Sequence, residues 1–150
     1  MEKTTNFKMK KIYKIILFLF LISFSNIGLA DKNFFEEGKN LFDKKDYINA
    51  KFKFEKDIVF NPKSETSYLY LAKIFKEEMN DSLEENNLNT VLLLNPKNEE
   101  AIYLLTLLTI KKSNFSKAKE LIGTMTSVCE KMCTKLPKLQ DKLDSSLKSK

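Results

Sequence analysis

The sequence predicts an all-α chain of three stacked helical hairpins closed by one further helix. Three observations carry this. Asn61-Pro62-Lys63 recurs as Asn95-Pro96-Lys97, 34 residues later, the length of one helix–turn–helix unit. Each 34-residue segment places its apolar side chains at intervals of three and four, the spacing of one helix face. After the third segment, Leu136, Leu139, Leu143 and Leu147 form a single apolar stripe among polar residues.

The chain opens with a segment of another kind. Lys8, Lys10, Lys11 and Lys14 precede the apolar run Ile15–Leu21, and the uncharged stretch extends to Ala30. Gly28 and Ala30 are the small residues of a cleavage site before Asp31. These are the parts of a secretory signal, assigned here to residues 1–30. The alternative is an uncleaved anchor, for which an uncharged stretch containing Ser23, Ser25 and Asn26 falls short of the ~20 apolar residues a spanning helix needs. Export to a periplasm or to the outer face of an inner membrane is the expected localisation, and membrane contact is expected only through this segment if it is retained.

The first repeat, 31–64, has Phe34, Phe35, Gly38, Leu41 and Phe42 on its first helix. Gly38 sits mid-helix, where glycine costs about 1 kcal/mol against alanine, so it marks a close helix–helix approach. Lys44-Lys45-Asp46 makes the turn. Tyr47, Ala50, Phe54 and Ile58 mark the second helix, which Asn61-Pro62 ends, because a residue before proline is pushed out of the helical region. The second repeat, 65–98, carries Tyr68, Leu71, Ala72, Phe75, Leu88, Val91 and Pro96 at matching places. The third, 99–132, carries Ile102, Tyr103, Leu105, Thr106, Phe115, Ala118, Ile122 and Met125. Glu130 stands where proline closes the other two. Residues 133–150 are a capping helix, Thr134–Lys148, with a basic tail.

The series Phe34, Gly38, Leu41, Tyr47, Ala50, Phe54, Pro62 resembles the tetratricopeptide repeat signature, and the resemblance covers about 100 residues. Glu84 departs from it, standing where the family prefers alanine. The resemblance implies a right-handed solenoid whose first helices line a concave groove that holds a protein or peptide segment. The matching groove positions are Lys32, Phe35, Lys39 and Phe42, then Leu69, Tyr70, Lys73 and Lys76, then Tyr103, Leu107 and Ile110. Their aromatic and basic character suits a segment with apolar anchors and acidic groups. The family's clamp for a terminal carboxylate is not reproduced, because Phe35, Lys39, Tyr70, Glu100 and Leu104 stand at its positions.

Composition narrows the chemistry. The chain has no His, no Trp and no Arg; all 26 basic residues are lysines. Missing histidine removes the usual general base and the commonest metal ligand. With three glycines in unrelated contexts there is no phosphate-cradling loop. Residues 1–30 carry five lysines against one acid, 31–130 fifteen against seventeen, and 131–150 six against two. The folded body is therefore nearly neutral and lacks the basic stripe of a nucleic-acid protein. No enzymatic activity, cofactor or nucleic-acid partner is expected.

Cys129 and Cys133 are the only cysteines. Export favours a disulfide. A C-x3-C pair is badly placed for one inside a continuous helix, but here it falls where Asn-Pro turns the chain in the earlier repeats. The alternative reading is a small thiol or copper handler, with Met125 and Met132 adding soft ligands. The acidic run Glu77, Glu78, Asp81, Glu84, Glu85 lacks the alternating ligands of a calcium loop and reads as a solvated face between helices.

Overall fold

The computed structural model describes residues 33–148; the N-terminal segment read as a secretory signal lies outside them. The described residues form seven α-helices: α1 (Phe34–Asp43), α2 (Tyr47–Phe60), α3 (Glu65–Glu77), α4 (Asp81–Leu94), α5 (Glu99–Lys111), α6 (Phe115–Val128) and α7 (Leu136–Lys148). The pairs α1/α2, α3/α4 and α5/α6 are antiparallel hairpins stacked in chain order, and α7 closes the last.

The turns inside the hairpins obey the 34-residue period in their backbone. Lys45, Met79 and Ser113 all adopt positive φ, between 55° and 62°. Each is followed by a helix-capping residue, Asp46, Asn80 or Asn114, whose side chain accepts a hydrogen bond from the backbone N–H three residues on. One left-handed residue and one cap thus reverse the chain three times, with no glycine at any of the left-handed positions.

Gly38 is buried, and a Cβ there would lie 2.9 Å from Cε1 of Phe54. This is the close approach its position predicts. Ala72 and Thr106 fill the equivalent places and are likewise buried. Thr106 satisfies its hydroxyl on the Ile102 carbonyl at 2.7 Å. A first core joins α2 to α3 through Ala50, Phe54, Leu71, Ile74 and Phe75. A second, larger one runs from Leu69, Leu88 and Val91 to Ile102, Leu105, Leu121 and Met125. Helix α5 has hairpins on one side and α7 on the other, so its sequence is apolar nearly all round.

The loops that follow the second and third hairpins are each gripped by the glutamate that opens the same hairpin's first helix. Glu65 accepts from the side-chain amides of Asn95 (3.0 Å) and Asn98 (2.5 Å). Glu99, 34 residues on, accepts from the backbone N–H groups of Glu130, Lys131 and Met132 at 2.6–3.1 Å. Proline at position 130 would remove one of these donors. The residue that departs from the repeat pattern therefore supplies a hydrogen bond that the pattern residue lacks.

Helix α6 ends at Val128 and Cys129 is extended (φ −64°, ψ 134°), like Asn95 before it, and Asn61 also leaves the helical region there (φ −130°, ψ 78°). The turn that register predicts is present. The Cys129 and Cys133 sulfurs are paired across it, with Cα atoms 5.2 Å apart. The last helix opens at Leu136 instead of Thr134, because the preceding turn, Cys133–Lys135, is a 3-10 turn. Pro137 then stands at the second helical position, inside the first turn where proline is tolerated. Leu139 and Leu143 of α7 are buried, and Leu143 packs with Ile110 and Ala118.

Candidate functional site

The first helices of the hairpins, α1, α3 and α5, carry the groove positions. Three of those residues meet in one aromatic cluster. The Tyr70 ring lies 5.7 Å from Phe35 and 5.0 Å from Phe42, both edge-on, and stacks on the buried Phe54 at 5.0 Å. Phe42 also meets Tyr47 at 5.4 Å. Phe35, Phe42 and Tyr70 are half-buried, so each gives one part of its ring to the core and presents another.

Charge surrounds this ledge. Lys73 lies 4.7 Å over the Tyr70 ring and bonds Glu100 of the next hairpin at 2.8 Å. Lys39 pairs with Asp43 at 3.4 Å, and the hydrogen bond and charge of Asp43 raise its pKa above the ordinary lysine value. Lys76 is exposed further along α3. Tyr103 is half-buried against the central core and Leu107 is half-buried on the same helix.

Two groove assignments are corrected. Leu69 (7% exposed) and Ile110 (4%) are interior residues. Leu69 belongs to the central core, because α3 is packed on both sides and only a narrow strip of it remains free. Ile110 is covered by α7, a helix that contributes nothing to the 34-residue repeat and so shifts the boundary of the groove. Lys32 lies outside the described residues.

The structure also shows what the repeat pattern hides. Glu84 of α4 takes the place of Ala50 and Ala118, yet is as buried as they are, at 4% exposure. It borders a cavity of about 300 Å³ with Lys76, Leu107, Leu108, Lys111 and Lys142. Burial pushes its carboxyl above the ordinary value; Lys76 and Lys111 oppose this and Asp81 adds to it. The signal in the sequence was the break from alanine itself. Three other acids of that run form ion pairs between hairpins: Lys51–Glu78 at 2.7 Å, Lys111–Asp81 at 2.5 Å and Lys112–Glu85.

The sulfur set does not converge on a ligand site. Met125 is fully buried in the central core, Met132 packs against it, and the two cysteines are occupied with each other. The described residues hold no cluster of three or more His, Cys, Asp or Glu able to bind a metal, and no helix among them is long and apolar enough to cross a membrane.

Known structures with this architecture decide the fold. The TPR2B domain of yeast Sti1, solved in complex with an Hsp70 peptide, matches with a TM-score of 0.69 at 18% identity, over 75% of this chain and 94% of that one. The fold is that of a tetratricopeptide-repeat domain. The first such domain of Spaghetti (RPAP3), bound to an HSP90 peptide, gives a TM-score of 0.67 at 16% identity, over 75% and 91%. The Sgt2 domain of Aspergillus fumigatus gives 0.61 at 14%, over 80% and 79%. No family profile and no curated protein sequence matches the chain. The tetratricopeptide architecture here is therefore carried by packing positions, with little sequence in common.

Proposed function

We propose that this chain is a non-enzymatic adaptor that holds an extended protein segment in the groove of α1, α3 and α5. The observation that carries the reading is the half-buried ledge of Phe35, Phe42 and Tyr70 with Lys39 and Lys73 beside it. Rings fixed by Phe54 offer rigid apolar contact at little entropic cost, and the lysines favour acidic groups on the partner. Two of the structural neighbours hold peptides, from Hsp70 and from HSP90, which supports a peptide-binding use of the same architecture.

The adaptor acts after export, with cleavage following Ala30, in a periplasm or on the outer face of an inner membrane, where it serves envelope assembly or maturation. The lysine-rich start, apolar run and small residues at 28 and 30 support this. In such an oxidising compartment the Cys129–Cys133 pair is a structural disulfide that pins the loop before α7.

The test is capture from an envelope extract by the chain from Asp31 onward, beside a Lys39→Glu/Lys73→Glu variant of equal helical content. A partner retained by the first and lost by the second supports the groove. Equal capture by both excludes it.

A further inference from the structure

We propose that the cavity between α3, α4, α5 and α7 is a specificity pocket for one acidic residue of the bound segment and the uncharged amide side chain next to it. The proposal rests on the groove reading and sharpens it. Its centre is Glu84. In the first and third hairpins the same position is alanine, buried to 0% exposure, so packing does not require a carboxylate. Placing one there costs stability in the free protein, because the group is partly withdrawn from water. Among the described residues it makes no side-chain hydrogen bond or ion pair; its charged neighbours Lys76, Asp81 and Lys111 act on it only through space.

The lining defines the occupant. A carboxylate is an acceptor, so the occupant must bring a donor. Lys76, Lys111 and Lys142 surround the cavity, and Lys111 alone of the three is bound to an acid, Asp81. A cationic donor would face this lysine set, whereas a neutral amide would not. Lys76 and Lys142 remain available for a carboxylate. At about 300 Å³ the space suits one or two side chains. Lys76 and Leu107 are also groove positions, so a segment lying along the groove reaches the cavity without leaving it. Lys142 comes from α7, which gives the capping helix a part in recognition.

The experiment is an NMR titration of the full chain with acetyl-Asp-Gln-amide and with acetyl-Asp-Leu-amide, repeated on Glu84→Ala and Lys142→Ala. Alanine is already tolerated at positions 50 and 118, so Glu84→Ala folds. The expected result is saturable shifts at the Leu107 and Leu108 amides with the first dipeptide. Affinity should fall about tenfold or more in Glu84→Ala, and comparably when Gln becomes Leu. No saturable shift, or equal affinity in Glu84→Ala, overturns the pocket. The groove variant separates the two readings. If dipeptide binding fails while Lys39→Glu/Lys73→Glu still loses the captured partner, the pocket falls and the groove stands. If the dipeptide binds and that variant captures normally, the groove falls, and with it the pocket's part in reading a bound segment.

Discussion

Gly38 and Gly123 both lie inside helices, and the same substitution should act on them with opposite sign. Alanine is better than glycine in a helix interior by about 1 kcal/mol. At Gly123 nothing lies within 4 Å of an added Cβ, so Gly123→Ala should deliver that gain. At Gly38 the Cβ would stand 2.9 Å from Cε1, 3.0 Å from Cδ1 and 3.1 Å from Cζ of Phe54. The ring has nowhere to go: it is fully buried, stacked on Tyr70 and 5.9 Å from Phe35. Forcing an extra methyl into such packing costs about 1–3 kcal/mol, which outweighs the helical gain and leaves a net loss of up to about 2 kcal/mol. Thermal melts followed by circular dichroism should show Gly38→Ala lowered by up to about 8 °C and Gly123→Ala raised by about 4 °C. Urea midpoints should move in the same directions. If both variants gain stability equally, α1 and α2 are not in close contact at this point, and the reading of Gly38 as a packing residue fails.

Further predictions follow from the turns and charges. Met79 is 83% exposed at positive φ, so Met79→Gly should relieve backbone strain without loss of packing, a gain of about 0.5–1 kcal/mol by urea denaturation. Backbone N–H groups, Lys131 first and then Glu130, hold the Glu99 carboxyl below its ordinary value of 4.5. Its contribution is therefore full above that value and lost as pH falls through the lower folded value; the stability difference between wild type and Glu99→Gln should shrink on acidification, and a difference constant with pH would refute the grip. Lys51→Glu should cost up to about 1 kcal/mol and the swap Lys51→Glu/Glu78→Lys should recover most of it, measured as a double-mutant cycle in low salt.

The repeat period was legible because it is written in residues whose roles are local: Asn-Pro ends a helix wherever it occurs, and Gly38 can only mean close approach or weakness. The turn at Cys129 was legible by the same count, although neither its cysteine nor Glu130 resembles Asn-Pro. Leu69 and Ile110 were misplaced because an apolar residue does not declare which neighbour covers it. For Ile110 the cover is α7, which has no counterpart in the earlier repeats. Glu84 was visible as an exception, but its cavity depends on Lys111 and Lys142, which come from helices far along the chain. The shared left-handed turn was hidden altogether, since Lys45, Met79 and Ser113 have no side-chain feature in common.

The order of the hairpins has its own code in the charges. Lys51 of α2 pairs with Glu78 at the end of the next hairpin's first helix. Thirty-four residues on, Glu85 pairs with Lys112, the same two positions with signs exchanged. If the first hairpin docked directly on the third, Lys51 would face Lys112, and a second hairpin stacked on its own copy would set Glu85 against Glu78. Apolar cores alone would not discriminate strongly among these arrangements, because the repeats bury residues of similar size at equivalent places. Exposed ion pairs add little stability, but like charges in the wrong stack subtract from it, so alternation favours the native sequence of hairpins through its alternatives. That order brings Lys76 of the second hairpin, Lys111 of the third and Lys142 of the cap around Glu84, and any other stacking would leave this carboxylate buried with different neighbours.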